Sequence, residues 1–130
     1  MQDAKTTMRI TTFSNDGQGG TVFGDERVEL RKSYNDILGA AIMMSGSRPC
    51  KRYFFSELPP GFSSAKDFSS RRQLSILLSG EIELTSSTGD VRQFVAGDVI
   101  LLEDTDYELP GRAIRITGEH PARVLSVQID

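Results

Sequence analysis

Asp67, Ser69, Arg71, Gln73 and Ser75 put five polar side chains at alternate positions of one stretch. In an extended backbone a period of two brings all five to one face. A carboxylate, two hydroxyls, a guanidinium and an amide then stand together, while Phe68, Leu74, Ile76 and Leu78 take the other face. Arg71 has two readings on that face. It pairs with Asp67 or with Glu57 and satisfies a polar surface, or its fork clamps a carboxylate or phosphate of a small ligand. A bulge in the strand would exchange the faces of Arg71 and Arg72.

The remaining chemistry-bearing residues are scattered. His120 is the sole histidine and sits in Gly118-Glu119-His120-Pro121, a turn-like stretch; a general base there would still have to be brought to a pocket. Cys50 is the sole cysteine and precedes Lys51-Arg52, a basic pair able to lower a thiol pKa, yet no base is identifiable beside it. Glu103 and Asp104 are adjacent, so on a strand they point to opposite faces, which argues against a catalytic carboxylate pair.

The elements that position these residues are strands. Met8–Phe13, Thr21–Phe23, Glu26–Arg31, Lys51–Leu58, Arg71–Leu78, Glu81–Thr85, Val91–Val95, Val99–Glu103, Arg112–Thr117 and Arg123–Ile129 carry β-branched, aromatic or alternating apolar residues. Gly24-Asp25 divides the second from the third. Tyr34–Met44 reads as a helical turn near Asn35–Leu38 followed by a strand over Ala40–Met44, since Gly39 disfavours a longer helix. Gly-, Ser- and Asp-rich turns recur every eight to twelve residues, the pattern of a β-sandwich or barrel.

At 130 residues the chain is expected to form a single domain over 1–130, able to bury a core without disulfide or metal. A net charge of -3 gives no basic footprint for nucleic acid. No apolar run approaches the roughly 20 residues that span a bilayer, and the first ten residues lack a signal-peptide core. With one cysteine, a reducing compartment and hence the cytoplasm is the expected location.

Gly61-x5-Asp67-x-Ser69-x3-Gln73-x6-Gly80 has the spacing of the first cupin motif, G-x5-H-x-H-x3-E-x6-G. The second motif, G-x5-P-x-G-x2-H-x3-N, lies on Gly89 to Asp104, where Gly89 and Gly97 match. Val95 replaces its proline, Ile100 its histidine and Asp104 its asparagine. Arg72-Gln73, Leu78-Ser79-Gly80-Glu81, the Gly89–Phe94 hairpin and Gly97–Asp104 follow one another as in small single-domain cupins. The chain therefore resembles a cupin, over about 51–130 closely and over 1–50 loosely.

That resemblance implies an all-β fold, a double-stranded β-helix or jelly-roll barrel with extra N-terminal strands. It implies a barrel interior lined by Asp67, Ser69, Gln73, Arg71 and Ser75, with Glu57 nearby; Tyr107 either leans over the mouth or is a partial cover on the core. Ligand position by ligand position, however, a carboxylate, a hydroxyl, an amide and an aliphatic side chain stand where imidazoles and a carboxylate would bind a transition metal. No metal and no other cofactor is expected. The leading functional expectation is a metal-independent domain that binds a small polar or anionic molecule in the barrel. The alternatives are an isomerase- or epimerase-like or metal-dependent dioxygenase-like enzyme, and a dimeric scaffold without a specific ligand. The apolar outer face needs a cover, supplied by the N-terminal strands or by a second subunit in a homodimer.

Overall fold

A computed structural model describes residues 5–67, 71–105 and 112–130, with the backbone alone at 66 and 67. Eleven strands are described: β1 (Lys5–Asn15), β2 (Thr21–Asn35), β3 (Ala40–Met44), β4 (Arg52–Leu58), β5 (Ser63–Asp67), β6 (Gln73–Ser79), β7 (Glu81–Thr85), β8 (Val91–Val95), β9 (Val99–Glu103), β10 (Arg112–Thr117) and β11 (Ala122–Gln128). They form two sheets, β3-β2-β1-β9-β6-β11-β4 and β5-β10-β7-β8.

The order of β4 to β11 identifies the topology. β9, β6, β11 and β4 make one four-stranded set, and β8, β7, β10 and β5 make the other. Successive strands from β4 to β7 change sheet at each step, and the return from β8 to β11 interleaves with them. That is the paired Greek key of a jelly roll. β1, β2 and β3 are additional: β1 pairs in parallel with β9, from Thr11 opposite Ile100 to Ser14 opposite Glu103, and so lengthens the larger sheet.

The core forms where the two sheets face each other. Phe13, Phe23, Leu77, Ile100, Leu102, Ala122 and Val124 of the larger sheet meet Ile82, Leu84, Phe94 and Ile116 of the smaller. Phe13 and Phe23 stack edge to face with centroids 4.8 Å apart, a geometry the ring quadrupole favours. The N-terminal strands therefore contribute aromatic core as well as cover. Their turn is also fixed: Asp16 Oδ1 accepts from the backbone amides of Gln18 and Gly20 at 2.7 and 3.0 Å. Thr21 and Ser87 then tie the β1–β2 turn to the β7–β8 turn through reciprocal amide-to-hydroxyl bonds of 2.8 and 2.9 Å.

Two local expectations change, and one holds. The strands expected over 21–23 and 26–31 are one continuous strand, β2, because Gly24 is an in-register residue opposite Thr12 rather than a break. A Cβ on Gly24 would lie 2.7 Å from Thr12 Oγ1, so the glycine admits a close neighbour. β5 was not expected, because Ser63–Asp67 has no apolar alternation. It lies at the edge of the smaller sheet and pairs with β10 across a register shift. Around 35–39 the backbone makes a single turn, with the Gly39 amide donating to the Asn35 carbonyl at 2.9 Å and the Asn35 side chain accepting from the Leu38 amide. β3 follows over the residues expected.

Candidate functional site

Between the sheets, at the end of the core, lies a pocket of about 320 Å³. Its larger-sheet wall carries a polar row flanked by apolar residues, and its smaller-sheet wall is apolar apart from Arg112. On the larger sheet, Gln73 stands opposite Gln128 and Ser75 opposite Ser126 in the β6–β11 ladder. Ser56 of β4 extends this polar wall, opposite Val124. Ile82, Leu84 and Ile114 of β7 and β10 supply the facing apolar wall, while Phe54, Leu58, Ile100, Leu102 and Val124 flank the polar row on the larger sheet. Alternation along β6 explains the assignment: Gln73 and Ser75 line the pocket, whereas Leu78 on the opposite parity is exposed.

Arg112 is the charged residue of this lining among the described residues. Its Nη1 lies 2.7 Å from both Oδ1 and Oδ2 of Asp104, and the two side chains are 6% and 0% exposed. Strand phase puts both there. Arg112 shares its face of β10 with Ile114 and Ile116, and Asp104 follows Ile100 and Leu102 of β9 at the same parity. An isolated buried charge would be costly, and each partner removes that cost for the other.

The residues singled out from sequence separate into three groups. Gln73 and Ser75 are on the pocket wall, joined by a Gln73 Nε2 to Ser75 Oγ bond of 3.4 Å. Glu57 and Arg71 are placed elsewhere, a correction to the expected interior set. Glu57 is exposed on the other face of β4, where its carboxylate accepts from Arg123 Nε at 2.9 Å. Arg71 is exposed, precedes β6 and acts electrostatically on Asp130. The physical reason is that the strand starts at Gln73, so the period-two count cannot be carried back through Arg71. Asp67 is placed by its backbone alone, opposite Arg112 in the β5–β10 pair. Ser69 and Tyr107 lie outside the described residues.

Arg112 itself was missed. The signal was present: an arginine in phase with Ile114 and Ile116 is a charge on an apolar face. Glu103 and Asp104 do point to opposite faces, with Glu103 within 3.4 Å of Arg72. Arg72 also donates to both carboxylate oxygens of Asp130, at 2.8 and 3.1 Å. These bonds raise the Arg72 pKa and hold the Asp130 carboxyl below its ordinary value. Cys50 and His120 are both exposed, the latter in the turn before β11.

No protein-family model matches the chain, and no curated protein matches it. Among solved structures, it is similar to a cupin 2 conserved barrel domain protein from Salinispora arenicola, at 22% identity over 78% of this chain and 76% of that one, with a TM-score of 0.48. It is also similar to the Cnp3 cupin domain of Schizosaccharomyces pombe, at 14% identity over 95% and 84% of the two chains, with a TM-score of 0.49. The strand order and the turn glycines carry the class: a jelly roll with added N-terminal strands. Among the described residues no helix is long and apolar enough to cross a membrane.

The cupin motif spacing would place metal ligands at four positions, and the described residues there do not fit a metal. At two of the four ligand positions stand Gln73 and Ile100, a weak neutral donor and a side chain with no lone pair, and both line the pocket. No group of three or more His, Cys, Asp or Glu side chains able to hold a metal occurs among the described residues.

Proposed function

We propose that this chain is a metal-independent cupin-type domain that takes a small molecule into its interior pocket. The single observation that carries the reading is the pocket's construction. A ladder of two amides and two hydroxyls faces an apolar wall, with an ion-paired arginine in the lining. Small-molecule sites are mostly apolar concavities with a few convergent polar groups, and this volume lies at the lower end of their usual range. A scaffold with no ligand would instead fill its interior.

The test is amide-resolved NMR of the wild type and of Ser75→Leu against a set of small aromatic amides and acids. The reading requires shifts at the amides of Gln73, Ser75 and Ser126 in the wild type and their loss in Ser75→Leu, which fills the pocket. A set that moves no interior amide in the wild type overturns it.

We also propose that the partner is a second copy of the chain. Two apolar rows cross the outer face of the larger sheet: Tyr53, Val127, Leu74 and Leu101, and Phe55, Leu125, Ile76 and Val99. Ile10, Val28 and Met44 flank the Leu74–Leu101 end in a concavity. At the β4 end Tyr53 and Phe55 remain 68% and 66% exposed. The β4 end also carries the Arg123–Glu57 pair, both signs of charge at one edge, which suits a self-complementary two-fold contact. A reducing compartment and thus the cytoplasm is the location this reading assigns, on the single cysteine.

A further inference from the structure

The charge balance of the pocket narrows its ligand. We infer that the molecule it binds is uncharged, with one amide- or hydroxyl-bearing edge and an apolar body, and that acids of the same skeleton are rejected. This rests on the proposed interior binding.

The argument begins with Asp104. Arg112 is the cation of the lining among the described residues, and both oxygens of Asp104 already face its Nη1 at 2.7 Å. The pair is neutral as a unit. A ligand carboxylate entering beside it would lose its hydration, a large cost for an ion leaving water. It would gain an arginine whose charge is compensated, and it would meet the repulsion of Asp104. A cationic ligand fares no better, because Asp104 is engaged and the described lining holds no carboxylate.

The polar wall offers what a neutral ligand needs. Each glutamine amide is both donor and acceptor, and each serine hydroxyl is both. Gln73 beside Gln128 and Ser75 beside Ser126 therefore present alternating complementarity along one plane. A primary amide, lactam or diol edge matches that row without carrying charge into the site. Opposite it, Ile82, Leu84 and Ile114 form a surface without polar side-chain atoms, suited to a ring or short hydrocarbon. Polar row and apolar wall face each other across one space, so a fitting ligand is amphipathic across its width.

The test compares isosteric pairs on the wild-type protein: benzamide with benzoate, phenylacetamide with phenylacetate, and nicotinamide with nicotinate. Amide-resolved NMR titration at pH 7 reads affinity at the pocket residues. The inference requires each amide to bind at least about tenfold more tightly than its acid. Asp104→Asn, which removes one negative charge beside Arg112, should shift that order toward the acids. Should that variant fail to fold, the wild-type comparison stands by itself. Acids binding as tightly as amides, with shifts at Gln73 and Ser126, would overturn the ligand class and leave interior binding intact. Shifts from neither member of any pair would overturn interior binding, and the ligand class with it.

Discussion

Arg112 Nη1 lies 2.7 Å from both carboxylate oxygens of Asp104, joining the end of β9 to the start of β10 inside the jelly roll. The pair spans the two sheets, since β9 belongs to the larger and β10 to the smaller. Removing one partner takes the 2.7 Å counter-ion from a buried charge, so Asp104→Ala is expected to cost about 3–5 kcal/mol. The double replacement Asp104→Leu with Arg112→Met removes both charges and should lie much closer to the wild type. Urea unfolding of the three proteins checks this; equal losses for the single and double variants would show that the pair is not a coupled unit.

Gly80 closes the turn between β6 and β7 at φ +81°. A Cβ there would lie 2.6 Å from the Pro121 carbonyl oxygen and 2.8 Å from Ala122 Cα, both backbone atoms. Positive φ and a contact with rigid backbone act in the same direction. Gly80→Ala is thus expected to destabilise by about 2–4 kcal/mol. At Gly39, with φ +65° and no neighbour within 4 Å of a Cβ, alanine should cost only the conformational part. Thermal melts of both variants distinguish the two contributions.

Two carboxylates set an acid limit. Asp16 is held below its ordinary value of 3.8 by the amides of Gln18 and Gly20, and Asp130 by its hydrogen bonds with Arg72. A depressed folded pKa means that the unfolded chain takes up the proton first. The stabilisation is therefore fully present above the ordinary value and is lost as pH falls from about 4 through the lower folded values. Both groups are exposed, so the effect is small and weakens with salt. Asp16→Asn should flatten the stability profile below pH 4 and leave its slope near pH 7 unchanged, as read by denaturation at stepped pH.

The second-copy proposal predicts a concentration-dependent dimer that the paired change Tyr53→Ser and Phe55→Ser converts to monomer. These side chains face outward from β4 and away from the core, so the variant should keep its melting profile at high dilution. Sedimentation equilibrium reads the outcome. A wild type that is monomeric at all accessible concentrations, or a double variant that still dimerises, contradicts it.

Much of the architecture was legible in the spacing of strands and turn glycines. Gly80, Gly89 and Gly97 all take positive φ at turns where the motif spacing placed them. The parity of β6 was legible too, because polar and apolar residues alternate from Gln73 to Ile76. What was hidden depended on pairing partners. β5 is a strand by virtue of β10, not of its own Ser-Ser-Ala composition. Gly24 looked like punctuation because the proximity of Thr12 is a cross-strand fact. The site shifted for a similar reason: Arg71 was counted inward along a strand that starts two residues later. The interior arginine comes from β10, 41 positions further along, where Arg112 shares the buried face of Ile116.

The most direct measurement is a crystal structure of untagged protein grown with benzamide, inspected between Gln73, Ser75, Ser126 and Arg112. The account predicts the amide edge seated on the Gln–Ser row, the ring against Ile82, Leu84 and Ile114, and the Arg112–Asp104 pair intact. An interior closed by its own side chains, with benzamide absent or bound only on the surface, would contradict it.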